Sequence, residues 1–434
     1  MDNGALTELR LAAFKSVRNA SVPIGPLTLI VGRNGSGKSN ILDSLAVLSA
    51  LATGADLRDA LDGGREGPVV RGGSEGCAPL GQDRFSIGCS AHVNGSEVHL
   101  DVEIQVRPTL QIWSERLWSI RASGARRGEP LEYLKSEAPS SHSGDITARW
   151  ENGKRGLNPP LQLRANQLLT AQVATRVPAT TQAGRAVHEV AAGVLRAIST
   201  TFLLDPVPHQ MREYVPEKDD HLRRTADNLS AVLRRLLAQS ETAAELTAMT
   251  RSLSEAQISD LSSVSSDLGD VMVTINERIG GQDRSVPARL MSDGTLRFLS
   301  MAAAMLDAPA SDAEGAGGRV LVIEELENGL HPSQAALLLQ RLKASAATRK
   351  VRTIATTHSP AILDALEGSD HESVVVTSRD EDGWSQVTRL VDFPDYVEIL
   401  GKDSLGASAT HDRLRPGSVD IAAKQSSLRS LWVG

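Results

Sequence analysis

The stretch LTLIVGRNGSGKSNIL spans residues Leu27 to Leu42, and within it Gly32 is followed after four residues by Gly37-Lys38-Ser39. This is the spacing of the phosphate loop, G-x-x-x-x-G-K-[ST]. An apolar run typical of a strand precedes the loop, and an apolar run typical of a helix follows it, which is the context that the motif requires. We therefore predict a nucleotide-binding α/β core here, in preference to a glycine-rich turn that happens to contain a lysine.

Each part of this loop has a chemical task. The glycines let backbone N–H groups turn toward phosphate oxygens, and the following helix presents its positive end to the anion. Lys38 is predicted to reach the β- and γ-phosphates, and the Ser39 hydroxyl to bind Mg²⁺. The residues predicted to surround the phosphates are Gly32, Arg33, Asn34, Gly35, Ser36, Gly37, Lys38, Ser39 and Asn40.

Composition limits the remaining possibilities. The chain has 434 residues, of which 41% are hydrophobic and only 3% aromatic, so its core must be mainly aliphatic. A net charge of −7 argues against indiscriminate coating of nucleic acid, although a local basic groove stays possible. Two cysteines, no signal segment and no apolar run of membrane-spanning length predict a cytoplasmic protein without a membrane partner.

The coarse pattern divides the chain into four parts. Alternating apolar residues predict strands near the N-terminus, and again between Phe85 and Lys154, where Asn94-Gly95 signals a hairpin. Helical spacing is best from Asn228 to Leu246. The predicted parts are a split core at 1–60 and 260–405, a β-rich lobe at 61–158, a helical insertion at 159–259 and a mobile tail at 406–434.

A second candidate site follows an apolar strand at Arg319 to Ile323. Glu324 and Glu325 stand at the end of that strand, where α/β sheets place their ligands. In a nucleotide-hydrolysing core, a strand beside the phosphate loop supplies a carboxylate to the Mg²⁺ shell, and Glu324 is predicted to do so, directly or through water. Glu325 is then predicted to orient or deprotonate the attacking water.

Two further stretches carry weaker signals. In LMSDGTLRFL, Ser292 can cap a helix and Gly294 permits close backbone approach, so a simple helix start explains this stretch when it is taken alone. In TTHSP, residues 356–360, His358 falls just after an apolar strand, where it could contact a γ-phosphate.

The order of these four elements resembles that of ABC-type ATPases, namely phosphate loop, signature, Walker B and switch histidine. The pattern is most similar to SMC-like and RecF-like heads, including bacterial "AAA family ATPases" and the ATPase half of OLD-family nucleases. Phe14-Lys15-Ser16 before the loop, Asn40 after it and Asn228-Leu229 fit that group, whereas Leu326 stands where relatives often have proline. The resemblance covers about the first 60 and the last 150 residues closely.

The resemblance implies a fold and a mechanism. It implies an α/β P-loop ABC-type ATPase head with a mixed sheet, an antiparallel β-lobe and a helical insertion. It also implies that two heads dimerise face to face around ATP and Mg²⁺. Lys38, Ser39 and Glu324 of one copy would hold the nucleotide, and Ser292 and Gly294 of the other would close over it. The catalytic residues would be Glu325, His358 and Lys38.

Some family features are weak or absent in the sequence. Gln82 is the available candidate for the family's glutamine loop, but an exposed loop glutamine explains it better. The helical segment lacks sustained heptads, so a long coiled coil is not expected. The 76 residues after His358 hold no D-x-D cluster and are too few for the nuclease domain of OLD proteins.

Two functions stay open at this point. One is an ATPase that regulates a separately encoded effector or nuclease, as in bacterial antiphage or toxin-like systems. The other is a RecF-type or SMC-type clamp that binds DNA in repair or recombination. Arginine clusters at 121–127, 223–224 and 234–235 could touch DNA phosphates, although solvated helix faces and turns explain them equally well.

Overall fold

A computed structural model of the chain describes residues 4–63, 70–123, 126–139, 144–252, 257–307 and 318–415. The strands and helices within these ranges are numbered separately in chain order. The strands are β1 (Ala5–Phe14), β2 (Val17–Pro23), β3 (Leu27–Gly32), β4 (Arg84–Val93), β5 (Ser96–Gln105), β6 (Gln111–Ile120), β7 (Pro130–Ser136), β8 (Asp145–Trp150), β9 (Pro160–Arg164), β10 (Thr201–Leu204), β11 (Val215–Pro216), β12 (Gln257–Ser265), β13 (Asp270–Ile279), β14 (Gln282–Pro287), β15 (Val320–Ile323), β16 (Arg352–Thr357), β17 (Val374–Arg379) and β18 (Ser385–Arg389).

The helices cover both faces of the sheet and its ends. They are α1 (Lys38–Ala52), α2 (Leu57–Asp62), α3 (Val173–Arg176), α4 (Gln182–Ser199), α5 (Leu229–Leu237), α6 (Ser240–Arg251), α7 (Asp293–Leu306), α8 (Pro332–Arg349), α9 (Pro360–Asp364), α10 (Tyr396–Lys402) and α11 (Leu405–Thr410). Short 3-10 helices lie at Glu75–Cys77, Thr170–Gln172, Gln210–Arg212, Ala288–Leu290, Gly368–Ser373 and Leu390–Asp392.

One mixed sheet runs through most of the described structure, in the strand order β10-β15-β16-β3-β17-β18-β2-β1-β4-β5-β6-β7-β8-β9. The strands from β10 to β17 pair in parallel, and those from β2 to β9 pair antiparallel. A smaller sheet contains β11, β13, β12 and β14. The predicted class, α/β with a mixed sheet and antiparallel strands, is confirmed.

The central strands are apolar because both of their faces are covered. Along β3, Leu29 packs in the hydrophobic cluster that contains α5, α7 and α8, whereas Ile30 packs in the cluster that contains α1 and α4. Parallel strands buried on both faces are expected to read as continuous apolar runs. This explains why β3 and β15 stand out in the sequence without alternation.

The antiparallel half follows the predicted hairpin. Asn94 and Gly95 join β4 to β5, with φ of 51° and 77°, which are the left-handed values of a type I′ turn. Beyond β5, the buried Glu115 on β6 accepts hydrogen bonds from the backbone N–H groups of Leu169 and Thr170, at 2.7 and 2.6 Å. This carboxylate ties the antiparallel half to the segment that leads into α3 and α4.

Three local expectations differ from the structure. The antiparallel strands of the predicted β-rich lobe continue the core sheet, and β10, inside the predicted helical insertion, is an edge strand of that sheet. The helix expected from Asn228 to Leu246 is broken at Ala238-Gln239 into α5 and α6. The expected mobile tail begins with α11, whose Leu405 and Ser408 are buried, while residues 416–434 lie outside the described ranges.

Candidate functional site

The phosphate loop joins β3 to α1 and needs glycine at three positions. Gly35 and Gly37 have φ of 78° and 109°, a region that favours glycine. A Cβ at Gly32 would lie 2.3 Å from Thr377 Oγ1, and one at Gly37 would lie 2.3 Å from Ser385 Oγ. Backbone conformation and close packing therefore both fix the shape of this loop. The loop leads directly into α1.

The Lys38 side chain is largely buried and folds back over the loop. Its Nζ donates hydrogen bonds to the carbonyl oxygens of Gly32 and Arg33, at 2.8 and 3.0 Å. Burial lowers the pKa of Lys38, while the nearby carboxylates of Glu325 and Glu324 act in the opposite direction. The ammonium is thus held at the mouth of the loop, near the acidic side chains of Glu324, Glu325 and Glu327.

Ser39 and Glu324, the two predicted metal ligands, are in direct contact. Ser39 Oγ donates a short hydrogen bond to Glu324 Oε1, and Arg71 Nη2 donates to Glu324 Oε2 at 3.0 Å. No group of three or more histidine, cysteine or acidic side chains in the described ranges could hold a metal ion alone. One hydroxyl and one carboxylate fit Mg²⁺, which usually takes its other ligands from water and phosphate.

The strand order differs from the expectation that Glu324 stands on a strand beside the phosphate loop. β16 lies between β3 and β15, so the direct neighbour of β3 is the strand that ends at Thr357, just before His358. Glu324 still reaches Ser39, the second residue of α1. The strand that carries the acidic pair is therefore second from the loop.

The Glu325 carboxylate is exposed, and its backbone is held in place. Its φ is 54°, a left-handed conformation that is uncommon for a residue with a side chain. The Glu325 N–H donates to Thr356 Oγ1 at 2.8 Å, and Asn328 Nδ2 donates to Glu325 Oε2 at 3.3 Å. Such strain at a strand end is typical of a residue that must point into a site.

His358 follows β16 and faces the same region. Its backbone N–H donates a hydrogen bond to Glu327 Oε1. Burial lowers the pKa of the His358 imidazole, and the positive charge of Lys38 lowers it further. A neutral imidazole is therefore favoured at neutral pH, able to donate from one nitrogen and accept at the other.

A cavity of about 900 Å³ opens over the phosphate loop. The predicted residues that line it are Gly32, Arg33, Asn34, Ser36, Glu325 and His358. Glu327, Asn328, Thr377 and Arg379 line it as well. The loop, the carboxylate and the histidine, which are separated by about 300 residues in sequence, thus share one space.

Ser292 and Gly294 do not line the cavity over the phosphate loop. Ser292 caps α7 by accepting a hydrogen bond from the Thr295 N–H at 3.1 Å, as predicted for a helix start. It lines a different cavity, of about 690 Å³, together with Thr295 and His331. Gly294 permits a close approach within the chain, since a Cβ there would lie 2.1 Å from the carbonyl oxygen of Gly329.

The Phe14-Lys15-Ser16 motif contacts the phosphate loop through a polar link. Asn40 Nδ2 donates to Ser16 Oγ at 2.8 Å, and Ser16 Oγ lies 2.8 Å from Ser385 Oγ. The Ser385 N–H donates to the Ser16 carbonyl at 2.7 Å. The start of α1 is thereby fastened to the turn between β1 and β2 and to β18.

The weaker predicted candidates have ordinary environments. Gln82 is exposed, and it is not among the residues that line the cavity over the loop. Two arginines of the predicted clusters pair with acidic side chains of the same chain: Arg223 with Asp219 and Asp227, and Arg235 with Asp220 and Asp307.

Several residues near the loop carried no signal in the sequence. Arg71 binds Glu324, Thr377 Oγ1 lies 2.6 Å from Ser36 Oγ, and Arg379 Nε donates to the Gly35 carbonyl at 2.7 Å. All three are brought in by tertiary contacts. Only the position of Thr377 at the end of an apolar strand could have suggested a place near the site.

Comparison with solved structures finds SMC head domains. The SMC head bound to the C-terminal winged-helix domain of ScpA is 13% identical, covering 88% of this chain and 97% of that one, with a TM-score of 0.47. The SMC head domain of Thermotoga maritima is 15% identical, with 89% and 98% coverage and a TM-score of 0.39. An SMC head with an extended coiled coil, bound to the C-terminal domain of ScpA from Pyrococcus furiosus, is 12% identical, with 92% and 99% coverage and a TM-score of 0.44.

The family comparison covers most of the chain. Comparison with curated proteins finds no match to this chain. A family model described as "AAA domain, putative AbiEii toxin, Type IV TA system" matches residues 27–364, from β3 to the end of α9. The match confirms the resemblance to bacterial AAA family ATPases that the motifs indicated. The chain therefore belongs to the AAA-domain family that this model describes, a family of P-loop ATPases.

Proposed function

We propose that the protein binds and hydrolyses ATP, and that two copies hold two ATP molecules between them. We further propose that this cycle controls a separate effector or nuclease, in antiphage defence or a toxin-like system. The family description supports the toxin-like context. The single observation that carries the ATPase proposal is the convergence of the phosphate loop, Glu325 and His358 on one cavity.

Each residue has a task in this proposal. Lys38 would exchange its two carbonyl acceptors for the β- and γ-phosphates, and Ser39 with Glu324 would hold Mg²⁺. Mg²⁺, when bound, supplies positive charge to the phosphate oxygens. Glu325 would take the proton of the attacking water, and His358 would donate a hydrogen bond to the γ-phosphate.

The need for a second copy comes from the position of the signature. Ser292 lines a cavity other than the one over its own phosphate loop, and it is exposed at the start of α7. A helix N-terminus is a ready site for an anion. Ser292 and Gly294 would therefore act on the phosphates of another copy, and ATP would bind both faces of the interface. Loss of the γ-phosphate then weakens the dimer.

A mixing experiment tests this shared site. Ser292→Asp keeps a good helix cap but places negative charge against the partner's phosphates, and Lys38→Ala removes the lysine. Each variant alone should hydrolyse ATP poorly. An equimolar mixture should recover about one quarter of wild-type activity, since half of the dimers are mixed and each has one intact site of two. The measurement is steady-state phosphate release.

A lack of recovery on mixing would contradict the shared site. If each chain works alone, the mixture shows only the mean activity of the two variants, and the shared site is wrong. The control mixture combines Lys38→Ala with a doubly substituted Lys38→Ala/Ser292→Asp chain, whose mixed dimers keep no intact site.

The pairing of charged side chains favours a separate effector over DNA as the partner of this protein. The arginine pairs that could have bound DNA phosphates are neutralised by acidic side chains of their own chain. We expect ATP hydrolysis to be unchanged by duplex DNA between about 50 and 200 mM salt, the range over which phosphate contacts weaken most visibly. Stimulation by DNA that falls steeply with salt would support the clamp instead.

A cytoplasmic location belongs to the same proposal. Cys77 and Cys89 are both buried and unpaired, as expected in a reducing compartment. No helix in the described ranges is long and apolar enough to cross a membrane.

A further inference from the structure

The segment that follows α10 is firmly attached to the core. The Gly406 N–H donates to Asp364 Oδ1 at 2.7 Å, and a Cβ at Gly406 would lie 2.3 Å from the Pro360 carbonyl oxygen. Leu405 and Leu414 are buried with Val31 and Val376, the residues that precede the phosphate loop and Thr377. Residues 405–415 are thus held against the strands that form the site.

This segment forms one wall of the cavity over the phosphate loop. Its lining residues are Ala409, Thr410, Asp412, Leu414 and Arg415. Glu325 and His358 line the same cavity. The family match ends at residue 364, so this wall lies outside the region that defines the family.

Charges on this wall are arranged around one carboxylate. Asp412 Oδ2 lies 3.4 Å from Arg33 Nη1 in the phosphate loop and 3.0 Å from Arg415 Nη2 in the wall. The φ of Asp412 is 56°, a left-handed conformation that aspartate tolerates better than most residues. The carboxylate therefore holds two guanidinium groups that both face the space over the loop.

We propose that Asp412 restrains the affinity of this site for the triphosphate by holding Arg33 and Arg415 away from it. This inference rests on the proposed ATP binding. Phosphate oxygens and a carboxylate compete for the same guanidinium donors. The negative charge of Asp412 also opposes a polyanionic ligand in the same cavity. ATP binding would require the two arginines to exchange partners.

Neutralising Asp412 tests the proposal. Asp412→Asn keeps the size of the side chain, and asparagine accepts the left-handed backbone. We expect it to bind the non-hydrolysable analogue AMP-PNP about three- to tenfold more tightly than wild type, an effect sized for partly exposed charges. The gain should be smaller for ADP, because Asp412 shares its cavity with the groups proposed to face the γ-phosphate. Titration calorimetry of the full chain measures both.

A matched control separates charge release from loosening of the wall. Asp403 pairs with Arg413 in the same segment, but neither lines the cavity, so Asp403→Asn should leave both affinities unchanged. Arg415→Gln should weaken AMP-PNP binding. Equal affinities for wild type and Asp412→Asn, or the same gain with Asp403→Asn, would overturn the proposal.

Failure of ATP binding itself is distinguishable. If wild type binds AMP-PNP and Lys38→Ala weakens that binding, the nucleotide site stands whatever Asp412 does. If wild type binds no nucleotide, both this inference and the proposed function fail.

Discussion

Glu325→Gln should reduce steady-state ATP hydrolysis by about two to four orders of magnitude, the usual contribution of a general base. The amide keeps the volume and the hydrogen bond from Asn328 but cannot accept the proton of water. ATP binding should persist, because the phosphate loop is untouched. The ATP-bound dimer should therefore accumulate, which sedimentation with ATP and Mg²⁺ would show.

Two further variants serve as comparisons for Glu325→Gln. Glu324→Gln should instead weaken Mg²⁺-dependent nucleotide binding, because Glu324 is the acid that meets Ser39. Glu381→Gln changes an exposed acid in the turn between β17 and β18 and should hydrolyse ATP normally. Hydrolysis by Glu325→Gln at the wild-type rate would show that the base is another group.

Lys38→Ala should weaken ATP binding by about 10- to 100-fold, which corresponds to the loss of hydrogen bonds from a charged donor. The Lys38 ammonium is held at the loop by the Gly32 and Arg33 carbonyls, which places it where phosphate oxygens would lie. Titration with AMP-PNP measures the change. Hydrolysis should fall at least in proportion.

The fold of this variant needs its own check, because Lys38 is buried and bridges its loop. A melting curve by circular dichroism would show whether the core is intact. Lys218→Ala, at an exposed position, serves as the matched substitution and should bind as wild type does. A folded Lys38→Ala protein with unchanged affinity would contradict the assignment of the phosphate loop.

Local motifs made most of this site predictable. The loop is predictable because its glycines and lysine act at fixed spacing, and Glu324-Glu325 and His358 are predictable because they stand at the ends of apolar strands. The Ser292 cap was read correctly for the same reason. Each of these signals lies within one element and its first neighbours in sequence.

The rest depends on contacts between distant segments. Nothing local shows that β10 joins the edge of the core sheet, since a four-residue apolar run also fits a helix. Arg71, Thr377 and Asp412 approach the loop only through the packing of other strands and helices. Their residue types are common on surfaces, so no pattern distinguished them. The helical spacing of apolar residues also continues across Ala238-Gln239, so it does not predict the break between α5 and α6.

The junction between β18 and β2 has a mechanical consequence. β18 and β2 pair at a single position, Ser385 with Val17, whereas β3 and β17 pair at four and β1 and β4 at seven. A sheet resists bending through the ladders between its strands, so we expect this narrow junction to be the line along which it bends most easily. That line runs beside Gly37 and Asn40. We therefore expect any change in tilt between the parallel and antiparallel halves to centre on the place where the nucleotide's phosphates are proposed to bind.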